Sequence, residues 1–294
     1  MPVNFTFSNE NNKYYATALD RNPGKFLIGT KTNYQGSIGL FNTSLINTVT
    51  YKPEDYESQY GFWAYFIKPT AMCESKGSFF CLNTYDQAKF TFGFMQYAAH
   101  VPNGDFVKYL RKLIQLELAP EYFPKLVLKN NFIHYKDSNG SLTQLESNTT
   151  VQALQDYLNP TLKNIEFQEQ ITAARFIHWV INDEAHRKLQ VEVAIEHFKT
   201  NMAIYSKHYQ LNGVPDKVCL VLCDIRHQGR AYDTAIKPAL NTNGDHEKAY
   251  QNLVNLGVGS YAERIKTLKN GISDLVTQNI LGKKVYNQNT GEFE

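Results

Sequence analysis

Two carboxylates, Glu74 and Asp86, stand with eleven residues between them in the stretch "AMCESKGSFFCLNTYDQAKFTFGFMQY" (71–97). Hydrolysis of a glycosidic bond uses such a pair. One acid protonates the leaving oxygen, and the second activates water or stabilises the positive charge that develops. The proton donor works best in apolar surroundings, which keep it protonated near neutrality. Glu74 is flanked by Ala71, Met72, Cys73, Phe79 and Phe80, whereas Asp86 lies in the polar turn "NTYDQ". Spacing alone does not single them out. The competing reading is a surface Glu at a helix end and a turn Asp bonding its own backbone.

Other side chains in the stretch each carry two readings. Thr91 either positions a water or merely occupies a strand. Gln96 suits sugar hydroxyls or the carbonyls of its own loop. Tyr97 offers a ring to stack on a sugar, and Tyr85, beside Asp86, a wall for a cleft. Further along, Asp224, Arg226, His227 and Gln228 make a dense polar end to an apolar run. An ion pair of Asp224 with Arg226 or Arg230 is one reading; a cleft role for His227 or Gln228 is the other. His186 and His197 lack the i,i+4 spacing of His-Glu-x-x-His metal sites and read as solvated helix faces. No Gly-rich phosphate loop and no nucleophile elbow are present, and no metal or cofactor is expected.

The chain has 294 residues, 43% of them hydrophobic, enough to bury the core of one large or two modest domains. A net charge of +2 leaves no electrostatic footprint for nucleic acid. The 19 tyrosines and 18 phenylalanines suit sugar faces and protein interfaces, although most belong in a core. Cys73, Cys81, Cys219 and Cys223 fit neither a disulfide scaffold nor a strong zinc pattern, and read as buried free thiols. No apolar run approaches the roughly 20 residues of a membrane helix. The start, "MPVNFTFSNENNKYY", has neither the basic segment nor the apolar stretch of a signal peptide. Synthesis in a cytoplasm is expected, with delivery by other machinery if the target lies outside.

These residues need elements to hold them. Residues 1–55, with "KFLIGTKTNY" and "GSIGLFNTS", read as a small β-containing or irregular segment. From Pro53 the pattern turns helical, and a helix ending at Gly77 places Glu74 in its last turn. "SFFCLNTYDQAKFTFGFMQ" reads as a short hairpin or extended loop, "GDFVKYLRKLIQLEL" as an amphipathic helix, and "FIHYKDSNGSLTQL" as a hairpin. Asn159-Pro160 ends the next helix. The helical pattern of 166–209 breaks near Asn182-Asp183 into two helices. "DKVCLVLCDIRHQG" reads as a buried helix ending at Gly229, and "YAERIKTLKNGI" as a last amphipathic helix. The chain after Lys283 reads as a loose tail.

"CESKGSFFCLNTYDQAKFTFGFMQY" resembles the lysozyme-like superfamily of glycoside hydrolases. Its members carry a catalytic Glu near a helix end, then a hairpin with an Asp and a Thr-x-Gly step. Glu74, Asp86 and Thr91-Phe92-Gly93 match those positions, and "GFMQ" is similar to the "GLMQ" of lytic transglycosylases. "VLCDIRHQG" (221–229) resembles a late segment of chitosanase-like members that lines the cleft floor. The resemblance implies an α+β, mainly α-helical, lysozyme-like two-lobed fold with a small β-hairpin. A catalytic domain over 56–283 would stand between the 1–55 segment and the 284–294 tail. It implies a muramidase cutting β-1,4 bonds of peptidoglycan, with Glu74 as acid. Asp86 would act on water: inversion would follow a carboxyl separation of about 6.5–9.5 Å, and retention one near 5 Å. A chitosanase-type hydrolase on chitosan, a lytic transglycosylase and a non-catalytic glycan-binding or structural relative stay open. An immunity protein and a delivery machine are the partners it implies, besides the polysaccharide.

Overall fold

The computed structural model describes residues 1–19, 21–22, 24–44 and 49–294. In chain order, strands β1 (Phe5–Glu10), β2 (Lys13–Ala18), β3 (Lys25–Tyr34) and β4 (Ser37–Asn42) come first. A 3-10 turn (Pro53–Asp55) leads to helices α1 (Glu57–Tyr60), α2 (Phe62–Phe66) and α3 (Lys68–Ser75). Strands β5 (Leu82–Asn83), β6 (Thr91–Phe92) and β7 (Tyr97–Ala98) precede α4 (Asp105–Leu113) and α5 (Ala119–Tyr122). Next come β8 (Leu126–Lys129), β9 (Phe132–Lys136), β10 (Leu142–Gln144) and α6 (Gln152–Leu158). The long helices α7 (Phe167–Asn182), α8 (Glu184–Tyr209), α9 (Asp216–Gln228), α10 (Asp233–Leu240), α11 (His246–Val254) and α12 (Val258–Thr277) follow. Strands β11 (Tyr286–Asn287) and β12 (Glu292–Phe293) close the chain. At 46% helix and 19% strand, the protein is α+β with helix predominant, as the pattern predicts. None of the described helices is long and apolar enough to cross a membrane.

The chain forms two compact units. One combines Met1–Thr50 with Ser78–Val193; the other combines Tyr51–Gly77 with Ala194–Glu294. Helix α8 begins in the first and ends in the second.

The first unit is built on a seven-stranded antiparallel sheet in the order β1 to β7. The amino-terminal strands are not a separate flank. Phe41 and Asn42 of β4 pair with Asn83 and Leu82 of β5, which joins them to the strands around Asp86. Helix α7 supplies this unit's core. Phe176 meets Phe90, Phe92 and Phe123 at ring separations of 5.0–5.2 Å, and Trp179 stacks on Tyr122 at 4.9 Å. His186, predicted on a solvated face, is fully buried instead. Its ring lies 4.9 Å from that of Trp179, and the Tyr109 hydroxyl meets its Nε2. Burial pushes it well below the ordinary imidazole value.

The second unit is organised around α9, whose residues from Val218 to Ile225 are all buried. Helix α3 packs on α12, where Gly271 faces Pro69. A Cβ there would come within 3.3 Å of the Pro69 Cβ, so the small residue sets the closeness of the two helices. The residues after Lys283, predicted to be loose, form the β11–β12 hairpin. Phe293 packs against Phe62, Trp63 and Phe66 at 4.8–5.2 Å, and the Trp63 indole donates to Glu292 at 2.6 Å.

Glu169, in the first turn of α7, is fully buried. Its Oε1 accepts from the Thr84 hydroxyl at 2.5 Å and the Leu40 amide at 3.1 Å. Burial raises its carboxyl from 4.5 to about 7, against the pull of those hydrogen bonds. Between these values the fold retains a proton that the unfolded chain has released, so stability falls as pH rises. The full loss is about 3 kcal/mol, beginning near pH 4.5 and complete about one unit above pH 7. Urea midpoints should therefore be higher at pH 5 than at pH 8, and Glu169→Gln should flatten that difference.

Candidate active site

Helix α3 ends on Lys76 in the left-handed region (φ 55°). The Lys76 amide donates back to the Met72 carbonyl, the 5→1 bond of an αL close, and the Gly77 amide donates to that of Ala71. That ending holds Glu74 in the last turn, as the sequence predicts, with 13% of its side chain exposed. Its Oε1 lies 2.7 Å from Arg264 Nη1 and 3.6 Å from His227 Nε2. Among the described residues Oε1 accepts no well-directed hydrogen bond, so these contacts are ionic in character.

Arg264, on α12, is not held by Glu74 alone. Its Nη2 donates to Asp224 Oδ1 at 2.7 Å, and Arg230 meets the other oxygen of the same carboxylate. Asp224 belongs to the buried helix α9 and has no exposed surface. Of the two partners expected for it, Arg230 is observed, whereas Arg226 points toward Asp233 at 3.8 Å. The result is a chain Glu74–Arg264–Asp224–Arg230 in which two carboxylates offset two guanidiniums. Burial alone would lower the Arg264 guanidinium; the Asp224 and Glu74 carboxylates outweigh it and hold the group above its ordinary value.

His227 stands beside this chain, with its ring 5.7 Å from those of His197 and Phe198. Burial lowers it below the usual imidazole value, and Glu74 opposes that shift. Gln228 is half-buried. Burial pushes the Cys73 thiol up to about 12, with Asp224 adding to the effect. Its sulfur sits 3.5 Å from the Arg264 carbonyl, so Cys73 is a packing group rather than a nucleophile. Among the described residues no group of His, Cys, Asp and Glu is arranged to hold a metal.

The other predicted residues belong to the first unit. Asp86 accepts from Asn83 Nδ2 and from the Ala88 amide, both at 2.9 Å, which fixes the turn between β5 and β6. Tyr85 precedes it and is half-buried. Thr91 is buried in β6, opposite Asn83. Gln96 donates to the carbonyls of Gly93 (2.9 Å) and Cys81 (3.2 Å), the loop-satisfying role of its two readings. Tyr97, predicted to stack on a sugar, is a core residue whose hydroxyl donates to the Gln190 carbonyl at 2.6 Å.

Arg264 and Glu169 escaped the sequence reading. Each had one available signal: a charged residue on the apolar stripe of its helix. Arg264 precedes Leu268, Gly271 and Leu275 by four, seven and eleven residues; Glu169 precedes Thr172, Ala173 and Phe176 by three, four and seven. A charge on a buried stripe implies a partner or a neutral form.

No family model, curated protein or solved structure matches this chain.

Replacing Asp224 with Leu strands Arg230 and Arg264 without their shared carboxylate. Loss of one side of a buried ionic network costs about 3–5 kcal/mol. Urea denaturation should show that drop for Asp224→Leu, while Arg226→Ala, whose partner is at the surface, leaves the midpoint near that of the parent.

Proposed function

We propose that the protein is a glycoside hydrolase of the lysozyme-like kind, cutting β-1,4 bonds of peptidoglycan with Glu74 as general acid. One observation supports this most: a largely buried carboxyl in the last turn of a helix, 13% exposed, on the position that the lysozyme-like resemblance gives to the acid. In the step proposed, the Glu74 proton passes to the glycosidic oxygen and the bond from the anomeric carbon to that oxygen breaks; a water oxygen then bonds to that carbon while the water's proton goes to the Glu74 carboxylate, restoring the acid. The carboxylate left on Glu74 meets Arg264, 2.7 Å away. That residue is a positioning and charge-balancing group, shared at equal distance with Asp224. A single acid suffices where the substrate's own N-acetyl group assists. The lysozyme-like reading also draws support from chain order, in which an acid-bearing helix precedes the β5–β6 strands and their Asp86 turn. Delivery to the wall by other machinery, and an immunity partner, belong to the same proposal.

A second substrate, chitosan, is favoured by one feature. Asp224 anchors the ion chain from the segment (221–229) that resembles chitosanase-like members. The experiment compares reducing ends released from purified sacculi and from chitosan. Parent protein should release them from sacculi, and Glu74→Gln should lose at least about a hundredfold in rate, the scale of a general-acid contribution, while still melting in one cooperative transition, at a temperature lowered by the lost Arg264 contact. Sacculi degraded by Glu74→Gln at the parent rate would contradict the acid assignment. Release from chitosan alone would move the substrate to the second reading.

A further inference from the structure

Ser37, Gly39 and Phe41 alternate onto one face of β4. Tyr34 pairs with Ser37 in the β3–β4 ladder and shares that face. A Cβ at Gly39 would stand 2.6 Å from both the Thr84 carbonyl carbon and the Tyr85 nitrogen. The absent side chain is therefore what lets the backbone after β5 cross over β4. The crossing sets Tyr85 between two rings, 5.9 Å from Tyr34 and 6.0 Å from Phe41. Both outer rings stay in water, Tyr34 at 53% exposure and Phe41 at 37%. Asp86 follows, its carboxylate fixed by Asn83 and Ala88. The product is an open pocket of about 400 Å³ with Tyr34, Gln35, Tyr85, Asp86 and Gln87 on its walls.

We propose that this pocket, within the first unit, is a glycan subsite for a neutral or amine-bearing pyranose ring of the N-acetylglucosamine or glucosamine type. Aromatic rings with a few fixed polar groups are the usual lining of a small-molecule site. A pyranose presents an apolar C–H face to such rings and hydroxyls at its edge to Asp86, Gln35 and Gln87. None of the described residues lining the pocket is a cation. Phosphorylated ligands and uronic acids would lack the charged donors that bind them and would meet the Asp86 carboxylate. The choice of a glycan rests on the glycosidase reading. Tyr34, Gln35, Ser37 and Leu162 on its walls lie outside the stretch that resembles the lysozyme-like enzymes, and Gly39 and Phe41 set the position of Tyr85.

The test reads binding without turnover. Tetramers of N-acetylglucosamine, glucosamine and galacturonate are titrated calorimetrically into the full-length Glu74→Gln protein, and into the same protein carrying Tyr34→Ala or Tyr85→Ala. One of the first two tetramers should bind, each tyrosine change should weaken it about tenfold, the scale of a lost aromatic contact, and galacturonate should not bind. Tyr34→Ala removes a ring more than half exposed, so the doubly substituted protein should melt at the temperature of Glu74→Gln alone. Affinity unchanged by both tyrosine substitutions, no binding of either amino-sugar tetramer, or equal binding of galacturonate would overturn the proposal. Because the acid is already disabled in these proteins, failure here leaves the Glu74 assignment standing. Absence of turnover by the parent would equally leave the binding result intact.

Discussion

A carboxylate on a helix with no solvent-facing surface at that position must meet positive charge or give up its own. Asp224 meets that constraint with two guanidiniums. The desolvation of one buried ion costs several kcal/mol even after relaxation, and only close opposite charge with good geometry offsets it. This one requirement ties α9 to Arg230 just beyond its end and to Arg264 on α12. Arg264, once held, has a second face for Glu74. The acid at the end of α3 is thus placed from behind by an ion pair it does not itself make. The close α3–α12 packing at Gly271 and Pro69 sets the reach of that contact.

The first unit meets the same physics with the other answer. Glu169 is as buried as Asp224, but hydrogen-bond donors rather than cations face it: the Thr84 hydroxyl and the Leu40 amide. Glu166, in sequence just before α7, adds negative charge. Its carboxyl therefore moves up to about 7 instead of taking an ion partner. The hydrogen bonds it accepts join α7 to β4 and to the residue after β5, the place where the chain crosses Gly39 and turns toward Tyr85 and Asp86. A buried acid thus stands behind each cluster of candidate residues, ion-paired in one unit and prone to neutrality in the other.

Much of the local structure was legible in the sequence. The break between α7 and α8, the hairpin of β9 and β10, the buried helix α9 and the end of α3 follow from periodicity, turn residues and caps, which act over a few positions. Features that depend on distant partners were not. Strands β5, β6 and β7 have two residues each, too short for any alternation to show, and the β4–β5 pairing that fuses two strand groups into one sheet spans some forty residues. The closing hairpin has no strong pattern; the ring of Phe293 against the α2 aromatics holds it. At the site, Glu74 could be read from its helix end. Arg264 lies about 190 residues away with no motif, and nothing in the sequence around Tyr97 marks the Gln190 carbonyl as the partner of its hydroxyl. His186 looked like a solvated residue because a lone histidine on a long helix carries no mark of the aromatic cage around it.

The central claim is that the ion-held acid at the end of α3 cleaves a glycosidic bond with water. The most direct measurement digests purified sacculi in H₂¹⁸O and weighs the released saccharides by mass spectrometry. The account predicts new reducing ends carrying one ¹⁸O from the parent protein. Products ending in anhydro sugars without the label, or no released saccharide at all, would contradict it.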